Sequence, residues 1–397
     1  MQPLQKKLDF PKVGVKFLGR FPNGHVNDVK GWNFPQTVLT EAARDGRMLS
    51  MDLDMTGSAS CSLKCAHCFN PTTRLMQIRN ELLGDSDVLR VVDEGKSLGL
   101  RSVKIIGPGE PLEDRTLFHF LDYLAKRDIT PLIFTKATAL GDERLAKTIH
   151  GLSPEELAIR LRDDFGATIL FGANSFHPET QARIVGREGY PQVRNRAMEL
   201  LAGIGFNDFI PGEPTRLSLI VNPILRSNID EIFDLHVWAR RRHIYIISSP
   251  TMVSGSCRDA SVFNSINPGE AELVSLYVKI NVWAIQNGIY GLEDIEREGV
   301  SPYVGVRPCQ QVGHGMFVRR DGLALRCPGD DVSIQGNVKH NSLAEIWAQS
   351  ENLRRFGGMM NVGCPPKLGK TIPIGFFDKV LEGIKEALGN PAFRTRT

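Results

Sequence analysis

The stretch Cys61-Ser-Leu-Lys-Cys-Ala-His-Cys68 decides how this chain is interpreted, because it spaces three cysteines as C-x3-C-x2-C. The alternating run 49–55 before it is typical of a strand, and Gly57, Ser58 and Ser60 mark a loop. Three thiolates on one short loop suit three corners of an iron–sulfur cube, which leaves the fourth iron without a protein ligand. Common ferredoxin spacings supply four cysteines and close the cluster. The motif therefore predicts a cluster with one iron open to a small molecule.

Two other interpretations of these cysteines stay open from the residues alone. A structural zinc site takes four ligands, usually as two pairs, and His67 would have to be the fourth. Its position between Cys65 and Cys68 gives awkward geometry for one ion. A disulfide with a spare thiol would suit a secreted protein, and nothing in the sequence is typical of secretion.

The motif resembles that of the radical S-adenosylmethionine (SAM) enzymes, in which an aromatic-type residue precedes the last cysteine, here His67. The resemblance implies a 4Fe-4S cluster on Cys61, Cys65 and Cys68 whose open iron chelates the amino and carboxylate groups of SAM. It also implies that one electron, from a donor such as flavodoxin or ferredoxin, cleaves SAM to methionine and a 5′-deoxyadenosyl radical. That radical abstracts a hydrogen atom from the substrate. His67 and the following Phe69 are then expected beside the cofactor.

The composition sets limits on size, partners and compartment. With 397 residues, 42% of them hydrophobic, the chain is long enough for one large domain and a smaller one. Its 48 basic and 45 acidic residues give a net charge of +3, which indicates neither a nucleic-acid nor a membrane partner. The sequence shows no signal-type apolar region and no membrane-length apolar run, and its seven cysteines then indicate metal binding. We expect a cytoplasmic protein.

Short apolar stretches alternate with amphipathic ones from residue 49 to about residue 253, which is typical of βα units. Six such units predict an α/β fold with a parallel sheet and right-handed crossovers. The family resemblance implies a partial (β/α)6 TIM-like barrel, and the count of six agrees with it. The predicted strands are 50–55, 102–106, 131–134, 168–171, 216–221 and 244–248, and the predicted helices are 86–98, 117–126, 192–203 and 229–241.

The loop after the second strand, Gly107-Pro-Gly-Glu-Pro-Leu112, lies where parallel α/β folds collect their working groups. Its Gly109-Glu110-Pro111 resembles the Gly-Gly-Glu motif of the family, which implies that Glu110 binds the SAM amino group. A glycine lets the backbone approach a ligand closely, and a carboxylate accepts from an ammonium. Pro108 replaces the first of the usual paired glycines, so Gly107 is expected to share its role.

Polar residues follow the third, fourth and fifth strands as well. Asn174 and Ser175 lie where the family binds the SAM ribose, and they suit a helix N-cap equally well. Val221 and Asn222 lie where the family places its adenine contacts. Lys136, after the third strand, is ambiguous, and a lysine in such a position is most often solvated.

A second set of three cysteines, Cys309, Cys327 and Cys364, lies beyond the predicted barrel. Residues 317–322 predict a hairpin with an Asp-Gly turn, and Cys309 and Cys327 fit the pattern C-x12-G-x4-C. This pattern resembles the start of the SPASM/twitch extension of radical SAM enzymes, which implies one auxiliary 4Fe-4S cluster. Its fourth position is either open to substrate or filled by Cys257. Three structural cysteines without metal are the alternative.

We divide the chain into five parts on these patterns. Residues 1–46 form an N-terminal arm with a short helix, and residues 47–255 form the radical SAM partial barrel. Residues 256–304 are a helical linker, and residues 305–370 are a small SPASM/twitch-like domain for the auxiliary cluster. Residues 371–397 contain a C-terminal helix that we expect to pack on the barrel.

Cys257 has three interpretations. It follows the sixth strand on the expected substrate side, where a thiol is suited to donate a hydrogen atom in a radical epimerase. It also suits a ligand of the auxiliary cluster or a small buried hydrophobic side chain.

These features predict a radical SAM oxidoreductase or epimerase acting on a small-molecule natural product of the sugar or aminocyclitol type. An auxiliary cluster that accepts the substrate's electron gives oxidation, whereas hydrogen return from Cys257 gives epimerisation. The short, turn-rich arm favours a small molecule over a ribosomal peptide or protein that is cross-linked or oxidised. The alternative from another class is a non-catalytic iron–sulfur relay or zinc protein, and the Glu110 loop argues against it.

Overall fold

The computed structural model describes residues 7–55, 61–68, 82–303 and 309–389. The strands of this described part form a single sheet in the order β6-β5-β4-β3-β2-β1-β7-β8-β9. The sheet is open, with β6 at one edge and β9 at the other. Its strands are β1 Ser50–Asp54, β2 Ser102–Gly107, β3 Thr130–Thr135, β4 Thr168–Gly172, β5 Leu217–Ile224, β6 Tyr245–Pro250, β7 Gly315–Val318, β8 Leu323–Cys327 and β9 Asp330–Asn337.

Strands β1 to β6 are parallel and adjacent in chain order, which confirms the six predicted strands and the α/β partial barrel. Their side chains alternate between two buried faces. Ile133 and Ile169 pack in the main core beneath the helices, whereas Leu132 and Leu170 pack in a cluster on the inner face. Burial on both faces explains why these strands are nearly continuous apolar runs in the sequence.

Helices cover the outer face of the sheet, and the four predicted helices are confirmed with small shifts at their ends. The helix predicted at 229–241 begins with a 3-10 turn, Ile229–Glu231. No helix of the described residues is long and apolar enough to cross a membrane. The helices are Gln36–Arg44, Asp85–Ser97, Leu117–Ala125, Thr138–Gly141, Glu143–His150, Pro154–Asp163, Pro178–Val185, Tyr190–Ile204, Ile232–Arg240, Ala260–Ile266, Glu270–Gln286, Leu292–Glu298, Leu343–Gln349, Glu351–Phe356 and Phe376–Gly389.

The C-terminal hairpin continues the barrel sheet. β7 pairs in parallel with β1, with Gly315 opposite Ser50, and β8 and β9 follow as antiparallel neighbours. A Cβ on Gly315 would collide with the Ser50 carbonyl, so glycine lets the two strands approach. The hairpin predicted around residues 317–322 is confirmed. Its attachment to β1 means that the predicted barrel and the C-terminal unit share one sheet.

The N-terminal arm closes the inner face of the barrel where the strands begin. Val29 forms a bridge with Thr215, just before β5, and the Lys30 carbonyl accepts a hydrogen bond from the Thr168 hydroxyl at 3.0 Å. Val29 and Trp32 pack in the inner-face cluster with residues of β3 to β6. The arm therefore forms part of the interior, and its short helix, Gln36–Arg44, follows directly.

The C-terminal helix Phe376–Gly389 packs on the helix Glu270–Gln286 of the predicted linker, whereas we expected it to pack on the barrel. The rings of Tyr277 and Phe376 meet edge to face at 5.4 Å. Gly383 lies so close to Val278 that a Cβ would displace the valine methyl group. The predicted linker is therefore the platform for the C-terminal helix.

Candidate active site

The first cysteine loop is anchored by a buried carboxylate, Glu113. It stands in the 3-10 turn after β2 and accepts hydrogen bonds from the Ser62 amide at 2.9 Å and the Ser62 hydroxyl at 2.6 Å. The Thr138 hydroxyl donates to the same carboxylate at 2.7 Å. Thr138 is fully buried, and leaving a buried donor of this kind without its acceptor costs about 1–3 kcal/mol. Sequence reasoning missed Glu113, although it follows Pro111 by only two residues.

Two further loops hold the same segment in place. The Lys64 amide donates to the Val185 carbonyl at 2.8 Å, at the end of the helix after β4. The Ser256 amide, in the loop after β6, donates to the Cys68 carbonyl at 3.0 Å. The cysteine loop therefore meets the segments that follow β2, β4 and β6, as expected where parallel strands end.

The three thiols of this loop are half-buried. Burial, with a contribution from the charge of Glu110, raises the pKa of Cys61 to about 12 and raises that of Cys65. These cysteines are therefore protonated without metal, and metal binding would displace their protons. Burial lowers the pKa of His67 to about 3, so its imidazole is neutral. Phe69 lies outside the described residues.

Glu110 is oriented by three donors at the end of β2. The Thr135 hydroxyl, the Lys136 amide at 2.7 Å and the Leu112 amide at 3.2 Å all donate to its carboxylate. Burial raises the pKa of Glu110 to about 7, and the charge of Glu113 adds to the shift. A cationic or amino ligand against this group would favour its ionised form.

The turn that presents Glu110 depends on glycine at two positions. Gly107 has a φ of +126° and Gly109 a φ of +94°, which side chains with a Cβ rarely adopt. Pro108 stands between them, and Pro111 begins the 3-10 turn that follows. Pro108 stands where the family has a glycine, but Gly107 and Gly109 still provide the two positions that need a positive φ.

Lys136 lies inside the site, which corrects the expectation that it is solvated. Its Nζ donates to Asn174 Oδ1 at 2.9 Å, and its side chain packs over Gly172 at the end of β4. The ammonium opposes the burial that raises the pKa of Cys65 and adds to the burial that lowers the pKa of His67. The sequence could have indicated this place, because Lys136 directly follows β3, at the edge of the sheet where the other loops meet.

Asn174 and Ser175 are fully buried and belong to one hydrogen-bond network. Gln181 Oε1 accepts from both of their amides, at 3.0 and 2.8 Å. The Ser175 hydroxyl donates to the buried carboxylate of Glu231. His177, rather than either of the two, caps the following helix, so the N-cap alternative is wrong.

The residues expected near adenine differ in orientation. Val221 packs in the core beneath the helices, so its side chain faces away from the inner surface. Asn222 Oδ1 is buried without a hydrogen-bond partner among the described residues, and the same is true of the Ser249 and Thr251 hydroxyls. Buried polar atoms are normally satisfied, so these three mark a wall where a polar ligand would find partners.

The second cysteine set comes together although its members are far apart in sequence. Cys309 precedes β7, Cys327 ends β8, and Cys364 follows the helix Glu351–Phe356. Burial, followed by the charges of the other two cysteines, raises the pKa of Cys327, and burial raises that of Cys364 to about 12. The Tyr303 hydroxyl donates to Cys309 Sγ at 3.5 Å.

Two buried lysines flank this second set. Lys367 follows Cys364 by three residues and is 1% exposed, and Lys104 of β2 is fully buried. Burial lowers the pKa of both lysines. Asp52 and then Cys309 oppose this shift for Lys104, and the three cysteines oppose it for Lys367. Sequence reasoning missed both, because lysines are almost never fully buried unless paired.

Among the described residues, no three His, Cys, Asp or Glu side chains meet closely enough to ligate one metal ion. Tetrahedral zinc with Zn–S bonds of about 2.3 Å would hold its sulfurs about 3.8 Å apart. An iron–sulfur cube binds each thiolate through a different iron and so accommodates wider spacing.

The loop after β6 runs from one cysteine set to the other. Cys257, 1% exposed, stands in the 3-10 turn Gly255–Arg258, next to the Ser256 amide that binds the first cysteine loop. Earlier in the loop, the Met252 thioether occupies the space that a Cβ on Gly329 would need. Cys257 therefore lies at the end of this loop that contacts the first cysteine set.

The sequence model of the Radical SAM superfamily matches residues 55–216, which include the first cysteine loop and the Glu110 turn. This part of the chain belongs to the radical SAM superfamily. Radical SAM enzymes use a 4Fe-4S cluster and SAM, and the three-cysteine loop with its anchored carboxylates agrees with that chemistry.

A curated relative of the radical SAM domain is the GTP 3′,8-cyclase of Petrotoga mobilis. It is 21% identical over 281 residues, which cover 69% of this chain and 80% of the relative. Two solved structures share the fold. The structure titled anSMEcpe with bound AdoMet has a TM-score of 0.54 at 14% identity, covering 85% of this chain and 92% of that one. SuiB of Streptococcus suis bound to SAM has a TM-score of 0.52 at 16% identity, covering 78% and 68%.

Proposed function

We propose that this chain is a radical SAM enzyme of the SPASM/twitch subgroup with one auxiliary 4Fe-4S cluster, and that it oxidises or epimerises a small-molecule natural product. One observation carries the proposal. Two sets of three cysteines lie at the two ends of the loop after β6, one joined through the Ser256 amide and the other approached by Met252. A substrate held along this loop would lie between the two clusters.

Cys61, Cys65 and Cys68 hold the SAM-binding cluster in this proposal. When bound, that cluster supplies the reductive cleavage of SAM and the hydrogen-abstracting radical. Glu113 supports the assignment, because its hydrogen bonds fix the cysteine loop before any metal binds. Glu110 accepts from the SAM amino group, and its three donors hold the carboxylate in one orientation.

The remaining cofactor contacts come from the neighbouring strand ends. Lys136 carries a positive charge beside the first cysteine set, and Asn174 orients its ammonium. Asn222 offers a buried, unsatisfied oxygen to the ribose or adenine. Ser175 and Val221 contribute through their backbone, since both side chains are engaged within the protein.

Cys309, Cys327 and Cys364 hold the auxiliary cluster, within a C-terminal unit of residues 305–370. Its fourth iron is open to the substrate, because Cys257 stands at the other end of the loop after β6. The burial of Cys309 and Cys364 beside the half-buried Cys327 supports a shared anionic group, and so do the two buried lysines beside them. Cys257 is the proposed hydrogen donor if the reaction is an epimerisation.

A small molecule remains the leading substrate class, and the name of the Petrotoga relative, a GTP cyclase, is consistent with it. A peptide is the second candidate, because SuiB was also solved bound to its precursor peptide SuiA, with a TM-score of 0.50 at 14% identity. An external one-electron donor such as flavodoxin or ferredoxin completes the reaction in either case.

The test is a deoxyadenosine assay on protein reconstituted anaerobically with iron and sulfide. With dithionite and SAM, the wild-type chain should release 5′-deoxyadenosine, and Cys65→Ala should release none. Cys309→Ala is the matched control, because it removes a thiol of the other set and should retain cleavage. Cleavage by Cys65→Ala would contradict the assignment of the first cysteine loop.

A further inference from the structure

The auxiliary site has an unusual electrostatic setting. Two buried thiols, Cys309 and Cys364, and the half-buried Cys327 share one region with two buried lysines, although burying an ammonium away from water is costly unless an anion compensates it. Among the described residues, the charged groups that act on Lys367 are the three cysteines, and none is a carboxylate. The buried positive charge on this side of the molecule is therefore available to a negatively charged group bound by the cysteines.

Lys367 reaches the site through an aromatic contact. Its Nζ lies 5.2 Å from the centre of the Tyr303 ring, and the hydroxyl of that ring donates to Cys309 Sγ at 3.5 Å. The ammonium is thus one side chain away from a sulfur ligand. Tyr303 adds a donor to the same sulfur, which favours a thiolate that carries more negative charge.

Lys104 approaches from the barrel interior. Its Nζ donates to Ser50 Oγ at 3.1 Å and lies 5.3 Å from the centre of the Trp32 ring, which in turn meets the Tyr303 ring at 6.4 Å. Asp52 lies 4.0 Å from the same Nζ and offsets part of its charge. Trp32 and Tyr303 therefore lie together beside both lysines, one from the arm and one from the linker.

We propose that Lys104 and Lys367 are positioning residues that make the auxiliary cluster a better electron acceptor, so that the enzyme oxidises its substrate rather than epimerising it. The inference rests on the auxiliary cluster of the proposed function. Reduction adds one electron and one negative charge, which a fixed positive charge stabilises strongly in a low-dielectric interior. The substrate radical then gives one electron to the cluster and one proton to solvent, which completes a two-electron oxidation after hydrogen abstraction.

The test isolates the auxiliary cluster in the full-length triple variant C61A/C65A/C68A, whose first cysteine loop holds no cluster. Lys367→Met and Lys104→Met keep much of the side-chain volume and remove the charge. The readout is the midpoint potential in a dithionite titration followed by electron paramagnetic resonance. Each substitution should lower the equilibrium constant for cluster reduction at least tenfold, which is about 59 mV for a one-electron couple.

Lys370→Met is the matched control, because Lys370 follows Lys367 by three residues but is exposed. It should leave the midpoint unchanged. If Lys367→Met fails to assemble a cluster, Lys367→Arg separates charge from packing. Assembly with a near-wild-type potential in the arginine variant supports the charge role, and continued failure contradicts it.

The possible failures are distinguishable by iron content. About four irons per chain with an unchanged potential in both methionine variants would overturn the lysine inference while leaving the auxiliary cluster in place. No iron in the triple-variant background would contradict the auxiliary cluster itself, and the lysine inference with it.

Discussion

The two cysteine sets differ most in the charges placed around them. The first set has the carboxylates of Glu110 and Glu113 and the Lys136 ammonium nearby, and half-buried thiols on a short loop. The second set has two buried lysines nearby, together with the Asp330 carboxylate, which lies 3.4 Å from the Arg326 guanidinium, and it draws its cysteines from three distant segments. Carboxylates favour a ligand with an amino group, whereas ammonium groups favour a bound group that gains negative charge.

This contrast teaches that the number of cysteines alone does not define a cluster's role. Both sets offer three thiols, and in the proposed function each set holds a cluster with one open iron. The charges around a cluster decide whether it favours binding an amino ligand or accepting an electron. The predictions below alter one side of the contrast at a time.

The largest effect is expected from Glu113→Ala. The change removes the acceptor for two hydrogen bonds from Ser62 and one from Thr138, so the first cysteine loop loses its anchor. Iron should fall from about eight to about four per chain, since only the first cluster is lost. Iron and sulfide analysis after anaerobic reconstitution measures this, and a content that stays near eight would show that the anchor is dispensable.

The strands and the first cysteine site could be predicted from the sequence, because each depends on a pattern of neighbouring residues. The six parallel strands are short apolar runs separated by helical stretches, and Glu110 and the cysteine loop each come soon after such a run. Pairing of β7 with β1 was not accessible, because it joins segments more than 250 residues apart and depends on the Gly315 approach. Burial of Lys104 is likewise a tertiary property that local composition hides.

A smaller effect is expected from Glu110→Gln, which keeps the shape and removes the charge. SAM affinity should fall about tenfold, because a charge-assisted hydrogen bond becomes a neutral one. The Glu110 pKa is about 7, so wild-type affinity should weaken as the pH falls below 7 and the carboxylate takes up a proton. Calorimetric titration of the reconstituted protein between pH 6 and 8 measures both. A variant with the same pH profile as the wild type would separate Glu110 from SAM binding.

Lys136→Met tests the same comparison by removing a positive charge, rather than a carboxylate, beside the first cysteine set. Reduction of the SAM-binding cluster should become about threefold to tenfold less favourable, as the ammonium no longer offsets the charge near Cys65. The rate of 5′-deoxyadenosine release at limiting dithionite reports this. Lys147→Met, at an exposed helix position, is the control and should match the wild type.

The smallest effect on SAM cleavage is expected from Cys257→Ala. Deoxyadenosine release should stay within about twofold of the wild type, since Cys257 neither anchors the first loop nor binds the second cluster in this account. With a substrate in hand, product stereochemistry is the second readout. Oxidised product from both wild type and variant agrees with the lysine inference, whereas inversion that requires Cys257 would contradict it.

The most direct test of the account is a count of iron in three chains reconstituted side by side. The wild type should hold about eight irons, and C61A/C65A/C68A and C309A/C327A/C364A should each hold about four. That result would establish two independent clusters at the two cysteine sets. A wild type with about four irons, all lost in C61A/C65A/C68A and retained in C309A/C327A/C364A, would contradict the claim that the second set holds a cluster.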